Sequence, residues 1–109
     1  MPITVETSET GGDIAIKVVG EVDLYTSPDL RDAISKALAK GAGPVSVQLD
    51  EVSYMDSSGV ATLVEGLRSA DRGGIDFILA NPSKAVMKVL QLSRLDSVFT
   101  IHGSPGTPA

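Results

Sequence analysis

The sequence predicts an α/β domain of two layers, in which a mixed, mostly parallel sheet of about five strands carries helices mainly on one face. Three observations predict it. Ile14, Ile16 and Val18, and again Val45, Val47 and Leu49, alternate with other residues at the period of strands with one buried face. Leu30, Ala33, Ile34, Ala37 and Leu38, and later Val60, Leu63, Val64 and Leu67, recur at helical spacing. Helical and strand patterns then alternate along the chain, which implies parallel crossovers, while the polar positions within the strands imply a bare sheet face.

Taken in order, Ile3 and Val5 open a first strand, and Glu9-Thr10-Gly11-Gly12 supplies turn residues before the strand at 14–18, so these two are expected to form a hairpin. Thr26-Ser27-Pro28 reads as a helix start, with serine before proline, and Gly41-Ala42-Gly43-Pro44 as its end. After the strand at 45–49, a helix from Ser58 to Arg72 leads through Gly73-Gly74 to a strand from Ile75 to Ala80. A last helix from Ser83 to Leu92 buries Ala85, Val86, Val89 and Leu90, turns Lys84 and Lys88 outward, and leads to a strand from Val98 to Ile101. The domain is expected to occupy residues 1–102, followed by a flexible tail at 103–109 that carries no core residues.

With 109 residues, 42% of them hydrophobic, the chain can build one core but not two. Its 14 acidic and 9 basic residues give a net charge of −5, which opposes nonspecific binding to nucleic acid and to anionic membranes and favours a basic partner surface. No cysteine is present, so disulfide and thiolate chemistry are excluded. No apolar run approaches the roughly 20 residues of a membrane span, and the N-terminus lacks a signal pattern; a cytoplasmic location without membrane insertion is the default expectation.

The most informative stretch is Met55-Asp56-Ser57-Ser58-Gly59-Val60, which sets two hydroxyls and a glycine between a strand and an amphipathic helix. Either Asp56 or Ser57 serves as N-cap and Ser58 falls in the first turn, where free N–H groups and the helix dipole favour a negative group such as a phosphoryl. Capping and turn formation alone also account for these residue types. Ser57 is the rival acceptor and the stronger candidate for shaping the loop. Gly59 either admits a close partner backbone or relieves the turn. Glu21 and Asp23 follow the 14–18 strand, so they share a sheet edge with Ser58 if the two strands run parallel. Leu24, Tyr25, Tyr54 and Met55 are candidates for an interface around the acceptor serine; core or rim packing is the stronger reading for Leu24 and Met55, whereas Tyr25 and Tyr54 are open between the two.

Asp56-Ser57-Ser58-Gly59-Val60, together with Gly20-Glu21-Val22-Asp23 and the order of elements, resembles the STAS domain of bacterial anti-sigma factor antagonists, over about Ile3 to Ile101. The resemblance implies a STAS-like fold and partner switching. An anti-sigma factor that is also a serine kinase binds the domain, phosphorylates Ser58 and lets go, and a phosphatase restores the first state. It further implies that Asp23 contributes to kinase recognition, with Thr26, Ser27, Asp56, Ser57 and Gly59 forming the rest of the docking rim. The protein is then a substrate rather than an enzyme, needs no cofactor and makes no direct contact with nucleic acid.

Enzyme readings lack their parts. The single histidine, His102, stands just before the tail with nothing to orient it as a catalytic base. No Gly-rich loop ends in Gly-Lys-Ser or Gly-Lys-Thr, and scattered acids without His or Cys offer at most a weak hard-cation site. Asp50 ends a strand as a receiver aspartate does, but the accompanying acidic pair and lysine are not in clear form. The alternative within the same family is an accessory subunit binding the ATPase of a lipid-transport ABC complex, through the helix that begins at Ser58.

Overall fold

A computed structural model describes residues 3–103 and contains eight elements. They are β1 (Thr4–Thr10), β2 (Asp13–Val22), α1 (Ser27–Lys40), β3 (Val45–Met55), α2 (Ser57–Gly73), β4 (Phe77–Ala80), α3 (Lys84–Leu92) and β5 (Thr100–His102). The five strands form one sheet in the order β1-β2-β3-β4-β5. The β1–β2 pair is the antiparallel hairpin expected from its glycine turn, with Thr10 opposite Asp13, and every other pairing is parallel.

This order explains the two layers. Each parallel strand neighbours its predecessor, so all three crossovers step across the sheet in one direction, and right-handed connections then stack α1, α2 and α3 on one face. The inward side chains bear this out: Ile14, Ile16 and Val18 of β2, Val45, Val47 and Leu49 of β3, and Phe77 and Leu79 of β4 are all buried. They meet Leu30, Ile34 and Ala37 of α1, Leu63 and Ala70 of α2, and Val86 and Leu90 of α3 in a single core. The alternate residues Ala15, Lys17, Ser46 and Gln48 remain partly exposed on the uncovered face.

Helix ends follow local chemistry. Gly41 and Gly74, at φ of 58° and 67°, adopt the left-handed conformation that closes α1 and α2. Ser83 caps α3 by accepting from Val86 N at 3.2 Å, while its hydroxyl donates to Val52 O at 2.6 Å, tying the helix to β3. The strand read from Ile75 starts two residues later, because Ile75 N donates back to Ala70 O at 2.9 Å to finish the α2 turn. Apart from Gly103, the tail expected at 103–109 lies outside the described residues.

The largest departure from the sequence reading is β3, which runs to Met55 rather than ending near Leu49. Its pairing with β2 shifts register between Lys17 and Val19 and again between Gly20 and Glu21, each time placing one extra residue on β3. The buried positions accordingly change from a spacing of two (Val45, Val47, Leu49) to a spacing of three (Val52, Met55). These bulges carry both strands to a common edge, where Val22 pairs with Met55.

Candidate functional site

Three segments meet at the C-terminal edge of β2 and β3: the loop 23–26, the end of β3, and the first turn of α2. Asp56 N donates to Val22 O at 3.2 Å, knitting the two strand ends together just before the helix begins. The parallel pairing therefore puts Glu21 and Asp23 on the edge that carries Ser58, as the sequence implied.

Asp56, rather than Ser57, is the N-cap of α2. Its backbone is extended, and its Oδ1 accepts from Ser58 N at 2.9 Å. Of the two alternatives, Ser57 is instead the first helical residue, and it is exposed. Ser58 is half-buried in the first turn and is not part of the core cluster. The Ser58 carbonyl accepts from Thr62 Oγ1 at 2.9 Å, which pins the turn from below.

Gly59 packs against the ends of β2 and β3. The residue is buried, and a Cβ there would stand 2.6 Å from Met55 Cγ and 2.9 Å from Val22 Cγ1. The glycine lets α2 settle onto the side chains that end β2 and β3.

The loop after β2 is held by a compact set of hydrogen bonds. Asp23 Oδ1 accepts from Tyr25 N at 2.9 Å, from Thr26 N at 3.0 Å and from Thr26 Oγ1 at 3.2 Å. Thr26 Oγ1 accepts in turn from Asp23 N at 2.9 Å and can donate to Glu21 O at 2.9 Å. Burial alone would raise the Asp23 pKa, but the N–H groups of Thr26 and Tyr25 and the Thr26 hydroxyl together outweigh it and hold the carboxyl below its ordinary value. Thr26 and Ser27 are only 6% and 3% exposed. Both lie beneath the loop, and the Thr26 hydroxyl is turned inward to support and close it.

What that support displays is apolar. Leu24 is 66% exposed, Tyr25 87% and Tyr54 49%, whereas Met55 is buried. Leu24 departs from the core-or-rim expectation. Strand parity continued from Val18 through Val22 would bury it, but the Asp23–Thr26 turn ends the strand first; the signal was the Asp-x-x-Thr spacing, a local hydrogen-bonding turn.

His102 is exposed at the end of β5, and among the described residues no cluster of His, Cys, Asp or Glu could hold a metal ion. No described helix is long and apolar enough to cross a membrane. A crevice of ≈ 510 Å³ lies between β1 and α1, lined by Val5, Ile14, Ala33 and Ala37 among others, away from Ser58.

A five-stranded sheet with three helices on one face, and a capped Asp-Ser-Ser-Gly turn beside an acidic loop, defines a class. The family model described as "STAS domain" matches residues 4–107, and the chain belongs to that family. It is 30% identical over 107 residues to the anti-sigma-B factor antagonist of Listeria monocytogenes, covering 97% of this chain and 94% of that protein. The anti-sigma factor antagonist SpoIIAA, solved in its unphosphorylated form, is 30% identical with a TM-score of 0.75, covering 90% of this chain and 87% of the other. The Bacillus cell fate determinant SpoIIAA in its phosphorylated form is 29% identical with a TM-score of 0.70, covering 90% of each chain.

Proposed function

We propose that this protein is an anti-sigma factor antagonist that works by partner switching: unphosphorylated, it binds an anti-sigma factor that is also a serine kinase, and phosphorylation at Ser58 releases it until a phosphatase removes the group. The observation that carries the reading is Ser58, partly exposed outside the core in the first turn of α2 and on one edge with Glu21, Asp23 and Asp56. The names of its relatives weigh in the same direction, toward a regulatory binding protein and away from a transporter accessory subunit.

The chemistry of the switch is electrostatic. A phosphoryl group adds about −1.5 to −2 charge beside the Asp56 carboxylate, on the surface that meets the kinase. Repulsion and bulk weaken the complex without unfolding the domain, and about 1–3 kcal/mol of lost affinity changes binding roughly five- to 150-fold. Within this scheme Asp23 shapes the loop and presents its remaining oxygen, Asp56 fixes the turn, and Ser57 lies exposed at the rim. Thr26, Ser27 and Gly59 hold that surface in place from beneath. The domain is a substrate and needs no cofactor of its own.

The test is direct. Purified protein is incubated with ATP and candidate serine kinases of the source organism, and the product is mapped by mass spectrometry. Phosphate on Ser58, lost in Ser58→Ala, supports the reading; modification only at Ser57 or elsewhere overturns it.

A further inference from the structure

We infer that Leu24, Tyr25 and Tyr54 form the anchor for the kinase that modifies Ser58, and that the facing surface on that kinase offers an apolar recess beside an arginine or lysine. The inference rests on the regulatory reading above and adds the residues that supply affinity. Ser58 is small and half-buried, so it provides little contact area of its own. On the same sheet edge, two segments display three large side chains that the core does not use, with exposures of 66%, 87% and 49%. Tyr54 stands opposite Glu21, one pair before the Val22–Met55 pair, so it shares the edge from which the loop bearing Leu24 and Tyr25 departs.

Two physical features make this patch a binding surface rather than ordinary exposure. First, it is pre-organised. Tyr25 N is bonded to Asp23 Oδ1, and the Thr26 hydroxyl closes the loop on both sides, so ordering Leu24 and Tyr25 in a complex costs little backbone entropy. Rigid aromatic residues on such a support are the usual carriers of interface affinity.

Second, its charge is one-sided. From Val18 to Leu30 and from Val52 to Leu67 the chain has no lysine or arginine, while Glu21, Asp23 and Asp56 lie at the edge. Lys17 and Arg31, which bound the first stretch, pair with Glu51 and Glu65 at 2.8 Å each, and Arg68, which follows the second, lies about three helical turns along α2 from Ser58. A tyrosine face among unneutralised carboxylates favours a guanidinium or ammonium group, which gains from both the ring and the acids.

The experiment measures binding of the kinase identified through Ser58 phosphorylation, by titration calorimetry without ATP. Tyr25→Ala is expected to weaken binding about tenfold or more, and Tyr25→Phe to leave it within about threefold. At about 50 mM salt Tyr25→Lys binds more weakly than Tyr25→Glu, and the gap closes near 500 mM as screening removes the charge contribution. Because the side chain is solvent-facing, all four variants should keep the parent melting temperature. Wild-type affinity in both Tyr25→Ala and Leu24→Ala overturns the anchor, even where Ser58→Asp still weakens binding. The converse, weak binding by Tyr25→Ala with full binding by Ser58→Asp, supports the anchor and counts against the switch.

Discussion

Substituting alanine at Gly59 tests whether this glycine serves packing rather than partner approach. Its φ is not in the left-handed region, so the backbone would accept alanine, and helix propensity alone predicts a gain of about 1 kcal/mol. Against that stands the added Cβ, 2.6 Å from Met55 Cγ, 3.2 Å from Met55 Sδ and 2.9 Å from Val22 Cγ1. Met55 is flexible and can yield, but Val22 is β-branched, fully buried and paired within the sheet. Overpacking of this kind costs about 1–3 kcal/mol, so the net expectation is a loss of up to roughly 2 kcal/mol once propensity is deducted. For a domain of this size that lowers the melting temperature by roughly 4–8 °C per kcal/mol, toward the lower end.

Urea and thermal unfolding of Gly59→Ala, Met55→Ala and the double variant measure the effect. Because Met55 supplies two of the three close contacts, the double variant is expected to be less destabilised than the sum of the singles, by about 0.5 kcal/mol or more. A Gly59→Ala protein as stable as its parent, with effects that simply add, would refute the packing role of Gly59.

Other variants separate the roles of the neighbouring residues. Asp56→Ala removes the cap on α2 and is expected to cost about 1 kcal/mol, whereas Asp56→Asn retains the cap and stays within a few tenths; chemical denaturation ranks them. Thr26→Val leaves Asp23 N without its partner and is expected to cost about 1–3 kcal/mol, with Thr26→Ser recovering most of it in the same assay. The Asp23 carboxyl has a depressed pKa in the folded state, so its stabilising contribution is present above the unfolded pKa and is lost as pH falls through the folded one. Urea midpoints taken from about pH 5 to pH 2 should therefore fall less steeply in Asp23→Asn than in the parent. An equal slope in both would remove Asp23 as a contributor to acid sensitivity.

Most of the architecture was legible in the sequence, because burial imposes a period. Ile14, Ile16 and Val18 had to alternate to face the helices, and Leu30, Ile34 and Ala37 had to recur at helical spacing to meet them. The end of β3 was not legible, because its bulges convert the spacing of two into a spacing of three between Leu49, Val52 and Met55, and periodicity arguments assume an unbroken pleat. At the site, residue types identified the edge but not which atoms face outward. Asp56, Ser57, Thr26 and Ser27 are all plausible caps or rim residues by composition. Only the direction of the Thr26 hydroxyl, toward Glu21 O and Asp23, separates those that support the surface from those that form it. Gly59 was ambiguous for a related reason: a missing side chain gives no sign of whether a neighbour or a partner fills the space.

Partner switching rests on a change of affinity when one hydroxyl, that of Ser58, is modified. The most direct measurement prepares the protein fully phosphorylated at Ser58, confirms the site by mass spectrometry, and compares its binding to the purified kinase with that of the unmodified protein. The account predicts affinity lower by roughly five- to 150-fold at an unchanged melting temperature, and recovery after phosphatase treatment. Equal affinity in the two states, or a loss explained by unfolding, would contradict it.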